Sequence, residues 1–548
     1  MYDDPFCQYY SEFLDGTYDC VDRLVLNAYI PLLQSGGGFR QWWRLLNGND
    51  DHLDNAHLMR FAGHFSRRVR AYATKNKIHI QDFDSREEKE DTVTAHMPGD
   101  AAFRGLFCIL VNRAPAPVME VKRSNGHITE IGKKKHWPHV NIYSFHIIDA
   151  VWGHIIIRFC PHPPFNAMII LNGHEYVERQ ARQRKIPFTK EDNCFAAVPN
   201  APALATIADS MRASSSVGRL ADVCERWIYS TCLCFALDTD EQEQTGLRYS
   251  YSVYQMEYSR NLLFTRGRVL DEVFNGVIGR TRTVLDIRSL KTIFGYKNRP
   301  YNRDRQGKRP RVEIVVEKPV YDLTVFKIHF GRLTVKMYSK GAHVLRIEAI
   351  VHNTAEMRCG RSLEKFPLIG DRLAAIVDEF LRKLSCVDVS YVDAQTVQTW
   401  HKPGMVDEHR TAGIDINDTR QRAVMEALIA LSIDPRGIST PALAQKTREI
   451  LGVDQQHYST RHAAYDLRKL RGKQVVVKMA KRRAYRVTDE GLRSMAAYLV
   501  LRDKVILPIL AGTCPKQRNN FTATGAELHI ANIQNEMKHI FKEYRIAA

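Results

Sequence analysis

The sequence predicts a multidomain α+β protein with a helical N-terminal unit, a mostly antiparallel β-sheet central domain, and a C-terminal unit of short helices closed by a hairpin. Three observations lead there. A chain of 548 residues exceeds the roughly 250–300 residues at which one hydrophobic core stops growing. Apolar spacing shifts along the chain, from threes and fours near the start, to short β-branched runs in the middle, and back to threes and fours near the end. Charge runs with proline and glycine mark the changes. The expected organisation is 1–100 helical, 101–390 α+β and basic with a basic loop at 297–311, a linker at 391–414, and 415–548 as the last unit.

The N-terminal expectation rests on Leu24, Ala28, Trp42, Trp43, Leu58, Phe61, Phe65 and Val69, broken by a turn at Gly36, Gly37 and Gly38. A charged stretch from Asp82 to Asp100 reads as a surface loop. Strands follow at Leu106 to Val111, Val118 to Lys122, Tyr143 to Ile148, Ile155 to Phe159 and Met168 to Leu171, each short and bounded by turn residues. A basic helix is expected from Tyr176 to Arg184, and further helices at Leu220 to Phe235 and Tyr254 to Val269. Beyond the basic loop, strands are expected at Leu323 to Tyr338 and Val344 to His352, then a helix from Asp371 to Leu384.

In the last unit, Asp418 caps a helix with Val424, Leu428 and Leu431 on one face. Ser439 or Thr440 caps a second, with Pro441 in its first turn. Ser459 or Thr460 caps a third, which presents Arg461, His462, Arg468 and Lys469. Gly472 ends it, and a hairpin follows whose tip carries Lys481, Arg482 and Arg483. Helix, helix, cationic helix and basic hairpin together resemble the winged-helix domains of bacterial regulators of the MarR type. The resemblance spans about seventy residues and implies DNA binding by the third helix and the wing. A winged helix used for protein contacts is the alternative.

Composition points the same way. The formal net charge is +18, which attracts polyanions, and nucleic acid is the expected partner, duplex DNA first and RNA second. Arg182, Arg184, Lys308 and Arg309 are further candidate phosphate contacts. The hydrophobic share of 44% and charged share of 26% exclude a wholly disordered chain. No apolar run of membrane length and no signal-like start is present, and eleven scattered cysteines suit a reducing compartment. A cytoplasmic location is expected.

Candidate chemistry gathers in one stretch. Asp149, His154, His162, His174 and Glu175 fall at turns after successive predicted strands, where side chains are able to converge. Carboxylate and imidazole are the ligands of divalent cations and the bases of phosphodiester hydrolysis. The expectation is a metal site from Asp149, His162 and Glu175, with Asp149, His154, His174 and Glu175 catalytic, and Mg or Mn as the cation. Structural histidines and turn residues are the competing explanation.

Two short segments resemble plasmid and phage rolling-circle initiators. One holds Tyr249, Tyr251, Tyr254 and Tyr258 beside Glu257 and Arg260; the other holds Lys336, Tyr338, Lys340, Leu345, Arg346, Ile347 and Glu348. The resemblance implies a strand-cleaving tyrosine, against which stands simple aromatic packing. The His-hydrophobic-His metal motif of those initiators is missing, since Ile78, His79, Ile80 holds one histidine. Phosphate-binding glycine loops and hydrolase elbows are absent as well. The function expected is nucleic-acid binding in a mobile-element or phage-like setting, with a metal-dependent nuclease or replication-initiation enzyme as the alternative.

Overall fold

The computed structural model describes residues 4–83, 90–191, 193–274, 310–317, 323–330, 333–388, 399–406, 409–415, 417–432, 434, 436–480 and 482–502, with short helical pieces between 528 and 539. It is a mixed helix-and-sheet protein in two compact units. One comprises Phe13–Gly267 and Arg332–Val377; the other comprises Met1–Glu12, Arg268–Gly331 and Asp378–Ala548. Lys308, Arg309, Lys481 and most of the basic loop lie outside the described residues. No helix among the described residues is long and apolar enough to cross a membrane.

The first unit is organised by a large sheet. Its strands run in the order Leu333–Lys340, Val344–Val351, Ser250–Phe264, Leu14–Tyr29, Ala167–Asn172, Gly153–Phe159, His139–Asp149, Gly105–Pro115 and His79–Phe83. All neighbours are antiparallel except the last two, which are parallel. The five strands expected between Leu106 and Leu171 are all present. Val118 to Lys122 is the exception in placement: it belongs to a separate hairpin, Met119–Ser124 with His127–Lys133. Asn125 and Gly126 both take positive φ there, as a two-residue turn matched to strand twist requires.

Two expectations fail here for the same reason. Leu14–Tyr29 is a long strand in the middle of the sheet, not part of a helix. Leu24 and Ala28 lie four apart, but Leu26 and Ile30 are buried too, so the operative period is two. Tyr254 and Tyr258 likewise lie on the strand Ser250–Phe264, paired with Leu14–Tyr29. A spacing of four satisfies a strand face and a helix face alike, and the β-branched and aromatic neighbours decide for the strand.

Helices cover the sheet where the three-and-four pattern is unbroken. Gly36–Asn47 starts on the glycine run, with the Gly38 amide bonded to Ser35 Oγ at 3.1 Å. A Cβ on Gly36 would meet the Ile131 carbonyl oxygen at 1.9 Å, so close backbone approach requires glycine there. In Asn55–Lys75, capped by Asp54, Leu58, Phe65, Val69 and Ala73 point inward. Phe65 stacks on Phe159 at 5.2 Å.

The second unit holds the capped helices expected from the sequence. Thr419–Leu431, Thr440–Leu451 and Thr460–Gly472 follow their caps Asp418, Ser439 and Ser459, and a hairpin pairs Val476–Lys478 with Tyr485–Val487. Asp489–Leu501 comes next. The described residues of the expected linker 391–414 include part of the core. Trp400 and Ile414 are buried in the same core as Leu428, Leu443, Leu467, Val487 and Leu492, and Trp400 stacks on Tyr498 at 5.6 Å. Lys383, 1% exposed, anchors the unit by donating to the Val487 carbonyl and to Asp489.

Candidate functional site

The residues expected to form a metal site do not converge, and Asp149 and Glu175 are engaged by different partners. Asp149 is fully buried; Oδ1 accepts the Val151 and Trp152 amides of its own turn, and Oδ2 accepts from Arg226 and from Trp227 Nε1 at 2.8 Å. Glu175 takes the Lys190 ammonium at 2.7 Å. His154 is paired with His146, Nε2 to Nδ1 at 3.1 Å, near enough to Glu175 to feel its charge. His162 is buried, and its carbonyl closes a turn onto the Phe165 amide. Among the described residues, none of Asp149, His162, Glu175 and His154 falls in a group of three metal-capable donors.

His174 does, but with partners the sequence reading passed over: Cys20 and Asp22 on the central strand, the donor atoms all within 4.8 Å of one another. The local backbone explains the meeting. His174 opens the helix Gly173–Gln183, and a Cβ on Gly173 would meet the Val21 carbonyl at 1.8 Å, so the helix start lies directly on the strand. His174 Nδ1 is 2.9 Å from Asp22 Oδ1, and Ser259 Oγ donates to the same oxygen at 2.9 Å.

Arg346, fully buried, reaches this centre from the strand Val344–Val351. Its Nη2 faces His174 Nε2 at 3.3 Å and donates to the Asn193 carbonyl at 2.7 Å; its Nε donates to Asn261 Oδ1 at 2.7 Å. Its Nη1 lies 3.8 Å from Asp22 Oδ2 and 3.7 Å from Glu348 Oε1. Burial works against the Asp22 carboxylate, but Arg346 and His174 outweigh it and hold its pKa below the ordinary value. Glu348 also receives Tyr338, and beside it Glu257 is pushed up to about 7, first by burial and then by the Glu348 charge.

A cysteine, aspartate and histidine set suits a borderline cation. The guanidinium already supplies the positive charge, however, and it occupies the lone pair of His174 Nε2. The arrangement is that of a buried ion network in which Asp22, His174 and Arg346 lie within 4 Å of one another.

Of the initiator-like tyrosines, Tyr249 and Tyr258 are buried and Tyr251 and Tyr254 half-buried. Tyr258 is 1% exposed and donates to Asp19 Oδ2 at 2.6 Å, with Arg260 bidentate on the same carboxylate. Tyr249 donates to the Phe165 carbonyl.

The third C-terminal helix separates its faces sharply. Ala463, Leu467 and Leu470 are core; Arg461, Ala464, Tyr465 and Arg468 are exposed, at offsets of three, four and seven that define one face. Lys469 is a correction to the expected set: it is 6% exposed and donates to Gln421 Oε1 at 2.9 Å, so it is a structural cation. His462 is half-buried, its Nδ1 accepting the Ser459 amide in the helix cap. On the hairpin, Lys478, Arg482, Arg483 and Arg486 are exposed. Arg184 is exposed, whereas Arg182 is held by Glu178 at 2.8 Å.

From Thr460 to Thr488 the chain carries ten Lys and Arg and a single carboxylate, Asp466. That carboxylate is buried and consumed by Arg420 and Tyr458, leaving the surface with cations alone. Tyr465, 46% exposed in the middle of the cationic face, is a residue the sequence reading missed, since aromatic residues in helices are usually core.

No protein-family model, curated protein or solved structure matches this chain.

Proposed function

We propose that the chain binds duplex DNA through its C-terminal helices and hairpin, acting as a winged helix. Arg461, Ala464, Tyr465 and Arg468 form the face that enters the major groove, and the hairpin bearing Arg482, Arg483 and Arg486 reaches the flanking phosphates. The observation that carries this reading is the exposed Arg-Ala-Tyr-Arg face opposite a core face, on a helix whose only acid is buried. Small Ala464 admits close approach to base edges while the two arginines supply forked donors. A setting in mobile-element or phage-like DNA transactions suits the same reading.

The test is a binding titration of the full chain with duplex at fixed salt. Arg461→Ala and Arg468→Ala should each weaken binding, by about 1–3 kcal/mol where the arginine reads a base. Unchanged affinity and selectivity in both variants would overturn the proposal.

A second reading, metal-dependent strand cleavage with Mg or Mn, is favoured by one arrangement: Glu257 sits diagonally across paired strands from Glu348, and burial together with that neighbouring charge pushes its carboxyl up to about 7. A nicking assay on duplex and single strands with and without Glu257→Gln decides it. Cleavage that the variant abolishes supports the reading; no cleavage by the wild type removes it.

A further inference from the structure

The loop joining His127–Lys133 to His139–Asp149 displays a tryptophan to solvent. Trp137 is 58% exposed, whereas Trp42, Trp43, Trp152 and Trp400 are 6% exposed or less, and Trp227 is partly buried with its Nε1 bonded to Asp149. An indole so exposed leaves a large apolar face in water, which a ring-shaped ligand is able to cover.

The loop is not loose. On one side of Trp137 the Lys134 amide donates to the Val118 carbonyl at 2.9 Å; on the other the Ala116 amide donates to the Pro138 carbonyl at 3.2 Å. Arg113 adds a bond from Nη2 to the His139 carbonyl at 3.1 Å. The ring is therefore presented on a fixed backbone, so little ordering entropy stands against binding.

Basic side chains flank the ring along the chain. Lys133, Lys135, His136, His139 and Arg113 are exposed, and from Ile131 to Ile148 the sequence holds no Asp or Glu. The nearest acid along the chain, Glu130, is paired with Lys122 at 2.7 Å. Lys133 donates to Gln34, and no ion pair to Lys134 or Lys135 is present among the described residues. No other large apolar side chain on this hairpin or loop is strongly exposed. A protein hot spot would be expected to carry an apolar surround; a lone ring among cations matches the alternation of base and phosphate along a single strand.

We infer that the Lys133–His139 loop is a platform for single-stranded nucleic acid, with Trp137 stacking on an unpaired base and Lys134, Lys135 and Arg113 neutralising the adjacent phosphates. Its ligand differs from the one proposed for the C-terminal helices: a duplex hides the base faces that Trp137 needs.

The chain's own fluorescence reads the site. Titrating the full-length protein with a short oligothymidylate at low salt should quench tryptophan emission, and Trp137→Phe, a surface change that leaves thermal unfolding unaltered, should abolish most of that quench. Trp137→Ala should weaken oligonucleotide binding by about tenfold, in line with one stacked base. Lys134→Glu with Lys135→Glu should weaken it further and flatten its salt dependence. Quenching that survives in Trp137→Phe, equal quenching by a blunt duplex, or quenching by phosphatidylserine vesicles but not by the oligonucleotide would each overturn the assignment. Because duplex affinity of Arg461 and Arg468 variants is measured separately, loss of one site does not imply loss of the other.

Discussion

Arg346 Nη2 lies 3.3 Å from His174 Nε2, with neither side chain accessible to solvent. A guanidinium has donors only, so His174 accepts at Nε2 and carries its proton on Nδ1, which lies 2.9 Å from Asp22 Oδ1. Arg346, His174 and Asp22 thus form one relay within the sheet unit.

Breaking this relay should cost far more than breaking a surface pair. Arg346→Met strands a buried carboxylate, and the expected loss is about 3–5 kcal/mol by urea denaturation. Combining it with Asp22→Asn should restore much of that, because both charges then leave together. A single-variant loss of only about 0–1 kcal/mol, typical of an exposed pair, would contradict the relay.

The same relay should keep cations out. Adding Mg, Mn or Zn to the wild type is expected to leave Tm unchanged at the Cys20, Asp22 and His174 centre. A metal-dependent rise in Tm that Asp22→Asn removes would show instead that a cation displaces Arg346.

Acid should unfold the sheet unit partly through His146. Burial, then the neighbouring His154, drive His146 down from 6.5 to about 3, so the unfolded chain binds its proton first. Stability from this group is complete above about 6.5 and falls progressively as pH drops toward about 3. His146→Gln should flatten the pH dependence of Tm in that window. An unchanged slope would mean the imidazole is not held neutral.

Glu257 carries the opposite sign. Its carboxyl, normally near 4.5, sits near 7 in the fold, so the folded state binds the proton more tightly and stability declines as pH rises between those values. Glu257→Gln, which imitates the protonated form, should raise Tm above pH 7 and have little effect near pH 4. Equal effects at both pH values would rule out the shift.

Lys469 and Arg468 are neighbours in sequence with opposite expected phenotypes. Lys469→Ala should lower Tm because it removes a buried side chain and one of the two donors to Gln421 Oε1, the other being the Asp415 amide, and Arg468→Ala should leave Tm unchanged while weakening DNA binding. A Tm loss for Arg468→Ala equal to that for Lys469→Ala would place both in the core.

These contrasts show what the sequence was able to reveal. Helix caps at Asp418, Ser439 and Ser459 are local chemistry and were legible, as were short strands bounded by turn residues. Leu14–Tyr29 was not, because its partners Ser250–Phe264 and Ala167–Asn172 lie far away in sequence and its Leu24 and Ala28 spacing suits either period. The polar centre was hidden for the same reason: Asp22, His174 and Arg346 meet only through the sheet order. Asp19 and Asp22 inside an apolar run were the available signal, since a carboxylate in a buried strand demands a partner. The convergence expected of Asp149, His162 and Glu175 assumed free turn side chains, but Arg226, Trp227 and Lys190 had already claimed two of the three.

Fluorescence anisotropy of a labelled duplex, titrated with the full chain across a range of salt concentrations, separates a winged helix that reads DNA from a surface that is merely basic. Affinity should fall linearly with salt on logarithmic axes, with a shallower slope for Arg482→Ala with Arg483→Ala, and the Arg461, Tyr465 and Arg468 triple alanine variant should lose sequence preference with Tm retained. Wild-type binding that ignores salt, or a triple variant that binds the same sequences as tightly as the wild type, would contradict the winged-helix reading.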